Sequence, residues 1–247
     1  YHWDWCPRMV HLGLYDEVLI EEFGDGAIDE YNIQPVKTDE GWAIDTALGV
    51  TGYADFPASV TYCLSKDGRV VASGERKLTL HEGFQTVDYR LKVDSPELWY
   101  PNGHGPQPLY DLTVTLTDPD GISDQVTQRV GLRTLEYVRC DGAPADALPY
   151  LPVVNGKKIY IKGSNFVPAD MMYGALTRED YRSVLEKARD AHINLLRVWG
   201  GGLIEKEDFY DLCDEYGIMI MQEFIQSSSG LTNAPSEDAH FLKLCRA

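Results

Sequence analysis

The sequence predicts a chain of two characters: an antiparallel β-sandwich first, then an α/β segment built on a parallel sheet. Three observations carry this. Before residue 150, apolar and polar residues alternate in short runs separated by turn residues, and no helical periodicity occurs. After residue 150, short apolar runs alternate with amphipathic segments of helical spacing. The composition supports a packed core: of 247 residues, 44% are hydrophobic and 25% charged, the balance of a globular protein rather than a disordered or fibrous one. The length permits one large domain or two smaller ones.

The first ten residues, YHWDWCPRMV, lack an apolar h-region, a small-residue cleavage site and an initiator Met. They are not read as a secretory signal, and the chain reads as one that starts inside something longer. In the sandwich region Val60, Tyr62 and Leu64 alternate with Ser59, Thr61 and Cys63, and Lys66-Asp67-Gly68 turns the chain before a run that opens at Val70. Residues 84–93 alternate in the same way. Leu112, Val114 and Leu116 alternate with Thr113, Thr115 and Thr117, after which Asp118-Pro119-Asp120-Gly121 turns the chain into a run over 125–132. Period-2 runs at this spacing predict an immunoglobulin-like sandwich over roughly 25–135. Residues 141–154, DGAPADALPYLPVV, are rich in Pro and Ala and read as a linker.

Beyond the linker, Lys158 to Lys162 (KIYIK) is predicted as a strand. Thr177 with Asp180 forms a capping-box start, and Tyr181, Val184, Leu185 and Ala188 follow at helical spacing. Residues 193–199 are nearly all apolar, as a parallel strand covered on both faces should be. Phe209, Leu212, Cys213 and Tyr216 predict a second helix, ended by Gly217, and 218–221 (IMIM) a third buried strand. Residues 227–236 read as a loop, and 241–244 as the start of a third helix. The pattern is βαβαβ with right-handed crossovers, either barrel-like or doubly wound.

Charge and motifs exclude several functions. With 22 basic and 39 acidic side chains the formal charge is −17, which argues against nucleic acid or an anionic membrane as partner. No apolar run reaches the roughly 18 residues of a membrane-spanning helix. The five cysteines (Cys6, Cys63, Cys140, Cys213, Cys245) are widely spaced, with no CxxC or Cys/His zinc pattern. They read as buried, reduced thiols, a lean toward a cytoplasmic compartment, although the N-terminus leaves secretion open. None of the six His falls in HExxH, and no GxSxG occurs. The glycines after Trp199 lack the GxGxxG and Walker spacings. No metal and no cofactor is expected.

Ligands in α/β folds bind at the C-terminal ends of strands. The residues there are Asn165 after the first strand, Arg197 and Trp199 on the second, and Gln222 and Glu223 on the third. A guanidinium in an apolar strand requires a carboxylate, so Arg197 belongs either to a structural ion pair or to a site. Trp199, followed by Gly200-Gly201-Gly202, offers a flat ring suited to a sugar face, or a rim indole. Asp4, between Trp3 and Trp5, could accept sugar hydroxyls or be an edge acid.

Several segments together resemble glycoside hydrolase family 2, and within it the β-mannosidases. WDWCPR at 3–8 with Gly13 is similar to the family's WDWGPR…G segment at the end of its jelly-roll domain. LWYPNGHGPQPLYDLTVTL at 98–116 and VGLRT at 130–134 resemble runs of its immunoglobulin-like domain. VNGKKIYIKGSNFVPAD at 154–170 resembles the first barrel strand. NLLRVWGGGLIEKEDFYDLCDEYGIMIMQEF at 194–224 resembles the next strand, helix and strand. The resemblance implies the end of a jelly-roll domain over 1–24, an immunoglobulin-like sandwich over 25–140 and the first three β/α units of a (β/α)8 TIM barrel over 141–247. A barrel takes about 250 residues, and 93 run from Asn155 to Ala247. An open sheet edge prone to self-association is therefore expected.

The resemblance also implies retaining hydrolysis of terminal β-mannosides by two carboxylates about 5 Å apart. In this family the acid/base stands in an Asn-Glu pair ending the fourth barrel strand, and the nucleophile ends the seventh. No Asn-Glu pair occurs here, so neither catalytic carboxylate is assigned and the chain alone is expected to be inactive. By resemblance, Arg197 supports the nucleophile, and Trp199 and Asp4 bind the sugar, as does Asn165 on weaker grounds. Glu223 takes a supporting role where the family has Asp. Cys6 replaces a Gly and Phe166 a Trp. The implied partner is a β-mannoside or related neutral glycan. Two other readings remain. One is a different family 2 glycosidase, a β-galactosidase or β-glucuronidase, although those more often carry R-x-x-H-x-P where this chain has RVWGGG. The other is a non-catalytic carbohydrate-binding or interaction module built on the sandwich.

Overall fold

The computed structural model describes residues 13–14, 16–225 and 236–245. The chain forms two compact units. One comprises Glu21–Tyr100 with Pro106–Tyr160; the other comprises the described residues of 1–20, Pro101–Gly105 and the described residues of 161–247.

In the first unit, seven strands make two antiparallel sheets. They are β1 (Gly26–Thr38), β2 (Gly41–Gly52), β3 (Phe56–Lys66), β4 (Arg69–Leu80), β5 (Gly83–Val93), β6 (Tyr110–Asp118) and β7 (Gly121–Val130). The sheets are ordered β1-β2-β5 and β4-β3-β6-β7. The alternation predicted for 59–64 and 112–117 is the β3–β6 pairing: Val60 faces Leu116, Tyr62 faces Val114, and Leu64 faces Leu112. All six are buried in one cluster with Ile44, Leu48 and Val50 of β2 and Val87 and Leu91 of β5. Fully burying each Leu, Ile or Val contributes about 1.5–3 kcal/mol, so this shared apolar layer holds the two sheets face to face as a sandwich. The Asp118 turn forms through its side chain, whose Oδ1 accepts the N–H groups of Asp120 and Gly121 at 2.8 and 2.9 Å. The long pair β1–β2 goes beyond the strands that alternation singles out. Neither strand alternates cleanly: β2 has consecutive buried residues at Ala43-Ile44 and Leu48-Gly49-Val50, and most of β1 lies exposed or half-exposed.

The KIYIK segment differs from its prediction. Strands β8 (Leu135–Val138), β9 (Leu151–Val154) and β10 (Lys157–Lys158) form a small antiparallel sheet. The cause is Asn155-Gly156, whose positive φ values of 49° and 77° suit a tight hairpin turn. Lys158 pairs back to Val153, and the Ile159 N–H donates to the Pro152 carbonyl at 2.9 Å. The end of the predicted linker is therefore strand, and the parallel sheet begins five residues later than KIYIK.

In the second unit, β11 (Gly163–Phe166), β12 (Leu195–Val198) and β13 (Met219–Gln222) form a parallel sheet in that order. Between them run α1 (Arg178–Asp190) and α2 (Glu207–Tyr216); α3 (Ala239–Leu244) follows. Thr177 caps α1 with the predicted box: Asp180 Oδ2 accepts the Thr177 N–H at 2.9 Å. Gly217 ends α2 in the left-handed conformation. Phe166, Leu196 and Val198 pack with Tyr181, Leu185, Phe209 and Leu212 of the helices. Asn194, 1% exposed, starts the ladder: its Oδ1 accepts the Lys162 N–H and its own N–H donates to the Lys162 carbonyl, both at 2.9 Å. Asn102 is fastened to the ends of both helices. Its amide donates to the carbonyls of Arg189 and Ile193, and its N–H to that of Gly217.

Two expectations are corrected. The third strand is not buried throughout: Met219 is, but Met221 is 56% exposed. Among the described residues only one face of this sheet is covered by helices. Of the described cysteines, all free, only Cys213 is buried, while Cys140 is exposed; burial pushes the Cys213 thiol pKa up. No helix among the described residues is long and apolar enough to cross a membrane.

Candidate functional site

The parallel register aligns Asn165, Arg197 and Met221. Side chains alternate along a strand. Phe166, Val198 and Leu196 therefore enter the helix-side core, and Asn165 and Arg197 stand on the opposite face. Phe166 accordingly packs its ring on Phe209, with centroids 4.6 Å apart, away from the polar face. Glu223, the residue after β13, returns to that polar face.

There the side chains lock together. Arg197 Nε donates to Glu223 Oε1 at 2.9 Å, and Arg197 Nη2 donates to the same oxygen. Arg197 Nη1 donates to Asn165 Oδ1 at 3.0 Å. The other carboxylate oxygen of Glu223, Oε2, accepts the Gly200 N–H at 2.9 Å. That backbone donor lowers the Glu223 carboxyl most; burial opposes it, and the hydrogen bonds and charge of Arg197 add to the lowering, so the carboxyl is held below its usual range. Arg197 and Glu223 each keep about a third of their side-chain surface open to solvent. The cluster is thus an accessible, pre-oriented array of one guanidinium, one carboxylate and one amide.

Trp199 leaves β12 with its N–H on the Phe166 carbonyl at 3.0 Å. Its half-buried ring lies over Gly201, where an added Cβ would fall 1.9 Å from the indole. At Gly200 a Cβ would meet the Phe224 carbonyl oxygen at 2.3 Å. Only glycine lets the two backbones approach closely enough for the Gly200 N–H to reach Glu223. Gln222 stands apart, taking the Tyr210 hydroxyl at 2.7 Å on the helix side. Asp4 lies outside the described residues.

The structure therefore brings Asn165, Arg197 and Glu223 into contact and sets Trp199 one residue from the amide that binds Glu223. The Gly200 N–H is the member that residue-type reasoning passes over, because a backbone donor leaves no side-chain signal. Among the described residues no group of three or more His, Cys, Asp or Glu could hold a metal ion. A separate depression of about 500 Å³ lies on the sandwich, lined by Asn32, Gln34, Asp45, Asp88 and Arg90. There Asp45 and Arg90 satisfy each other through two 2.6 Å hydrogen bonds.

Residues 27–133 match the model of the glycosyl hydrolases family 2. Within it the similarity is to β-mannosidases. The chain is 34% identical over 236 residues to the beta-mannosidase of Capra hircus, covering 90% of this chain and 26% of the relative. It is 33% identical to beta-mannosidase B of Thermothelomyces thermophilus, covering 91% and 26%. The crystal structure of beta-D-mannosidase from Dictyoglomus thermophilum superposes with a TM-score of 0.79 at 30% identity, covering 90% of this chain and 27% of that one. The chain thus spans about a quarter of the length of these relatives.

Proposed function

We propose that this chain is part of a retaining β-mannosidase-type glycoside hydrolase that removes terminal β-D-mannosides. In this reading the sandwich is the immunoglobulin-like domain, residues before it close a jelly-roll domain, and β11 to β13 with α1 and α2 open a TIM barrel. One observation carries it: Asn165, Arg197, Glu223 and Trp199 gather where the parallel strands end, on a chain whose β-mannosidase similarity spans nine-tenths of its length.

The geometry supports the following roles. Trp199 offers a ring on which an apolar sugar face can stack. Arg197, pinned at two nitrogens by Glu223 and at a third by Asn165, presents a fixed positive charge. Such a charge keeps a neighbouring nucleophilic carboxylate ionised and oriented, which preorganised electrostatics reward in the transition state. Glu223 is a positioning residue for Arg197 and the Gly200 turn. Asp4 and Asn165 would take sugar hydroxyls. The reacting pair of carboxylates, one nucleophile and one acid/base, is assigned to the whole enzyme and to no residue of this chain.

The test compares the whole enzyme and this chain on chromogenic β-mannoside, β-galactoside and β-glucuronide. Turnover of the mannoside by the whole enzyme, with none by the 247-residue chain, is expected. Preference for either other glycoside would overturn the specificity, and strong turnover by the chain would overturn the assignment of the pair elsewhere.

A further inference from the structure

The stretch from Trp199 to Lys206 joins β12 to α2. Its first end is held by the Trp199 and Gly200 N–H groups. Its middle offers little grip, since Gly201 and Gly202 have no side chains and Ile204 is 62% exposed. Its far end carries Glu205, a carboxylic acid only 7% exposed. Glu205 Oε2 accepts the Tyr181 hydroxyl of α1 at 2.7 Å, and Oε1 has no hydrogen-bond partner. The neighbouring cation does not neutralise it: Lys206 Nζ donates to the Gly174 carbonyl at 3.2 Å and faces Asp16 at 3.4 Å. The other titratable group beside it, Tyr210 of α2, gives its hydroxyl to Gln222.

An ionised carboxylate offers about four acceptor sites, and this one meets a single phenol in an apolar setting. A buried charge without a counter-ion is strongly disfavoured, whereas a neutral carboxylic acid leaves no charge uncompensated and keeps the Tyr181 bond. We propose that Glu205 works as an uncharged carboxylic acid that, through Tyr181, clasps the far end of the 199–206 loop to α1 and so positions Trp199. Burial raises the Glu205 carboxyl above its usual range, in accord with this geometry.

The sign of the pH effect follows. A carboxyl raised in the fold contributes its full stabilisation below the unfolded value of about 4.3. That stabilisation is lost as pH rises through the folded value. Loop order should therefore decline on the alkaline side.

The test is amide hydrogen exchange on the full chain, expressed as protection relative to intrinsic rates, from about pH 4 to about pH 9. It compares wild type, Glu205→Gln and Tyr181→Phe; glutamine keeps the size and neutrality of the acid. Wild-type protection over 199–206 should fall as pH rises, by about tenfold for each unit by which burial lifts the carboxyl. Glu205→Gln should stay protected and level across the range, and Tyr181→Phe should lose protection in this segment at low pH. Core amides of β3 and β6 should not change. Poor protection of Glu205→Gln at low pH would show that the charged form is required and overturn the proposal. So would a wild-type pH response retained in Glu205→Gln, or a loss in Tyr181→Phe spread evenly over α1, α2 and the loop. The readout is loop order and does not depend on any substrate.

Discussion

At one end of the 199–206 loop, Glu223 receives three donors: two guanidinium nitrogens and a backbone N–H. At the other end, Glu205 receives a single phenol and leaves one oxygen without a partner. Glu223 is partly open to water, while Glu205 is buried. The same side chain is accordingly driven in opposite directions, with the Glu223 carboxyl held below its usual range and the Glu205 carboxyl raised above it. Donor count and desolvation, not residue type, decide the charge state. The linkage signs differ too. What Glu223 contributes is present above the unfolded carboxyl value and is lost as pH falls through its lowered folded value. What Glu205 contributes is lost as pH rises. A loop gripped in this way is held best between the two.

The comparison is broken most severely at Arg197. Replacing it with Met keeps an unbranched apolar stem about as long as the one that carries the guanidinium and removes every charged donor from Glu223. On the β-mannosidase reading, turnover by the whole enzyme should fall about 100-fold, the scale of a misplaced catalytic array. Stability should change by less than about 1 kcal/mol, because the pair is solvent-screened. Kinetics set beside a urea melt separate the two effects, and an equal loss in both would make Arg197 merely structural. A smaller effect is expected at Gly200→Ala. Its Cβ would fall 2.3 Å from the Phe224 carbonyl oxygen, so one backbone must move, at a cost of about 1–3 kcal/mol. Gly202→Ala meets the edge of the Pro168 ring at 2.8 Å and should cost less. Urea midpoints of the two variants rank them, and equal midpoints would remove the special status of the Gly200 contact.

Sequence periodicity was informative where one face of an element is buried and the other is not. The β3 and β6 strands alternate visibly because their inner faces meet across the sandwich core. The α1 start was legible because its capping box is purely local. KIYIK misled because its apolar residues alternate like a strand, while the stronger local signal, Asn155-Gly156, folds Lys157 and Lys158 back onto β9. At the site, Arg197 stood out as a charge in an apolar strand, and its need for a carboxylate made Glu223 a reasonable partner. Two contacts had no such signature. The Gly200 N–H is a backbone group, and Glu205 sits among Lys and Asp residues where a solvated face would be expected. Only three-dimensional packing separates a buried acid from an exposed one in such a run.

The smallest effect sharpens the comparison rather than breaking it. Asn165 is exposed and gives Arg197 a single acceptor at 3.0 Å, while Glu223 already fixes Arg197 through Nε and Nη2. If donor count at Glu223 governs this end of the loop, Asn165→Ala should leave the Glu223 carboxyl low and stability within about 1 kcal/mol of wild type. Turnover by the whole enzyme should then fall by less than about tenfold, which corresponds to 1.4 kcal/mol. The measurement that decides is a carboxyl titration followed by NMR on Asn165→Ala and Arg197→Met side by side. Glu223 should titrate near its wild-type value in the first and higher in the second, where of the present donors only the Gly200 N–H remains. If Asn165→Ala raised the Glu223 carboxyl as far as Arg197→Met does, the guanidinium would owe its orientation to Asn165. The three groups would then act as a unit, and the contrast with the solitary Glu205–Tyr181 pair would be one of network against single bond.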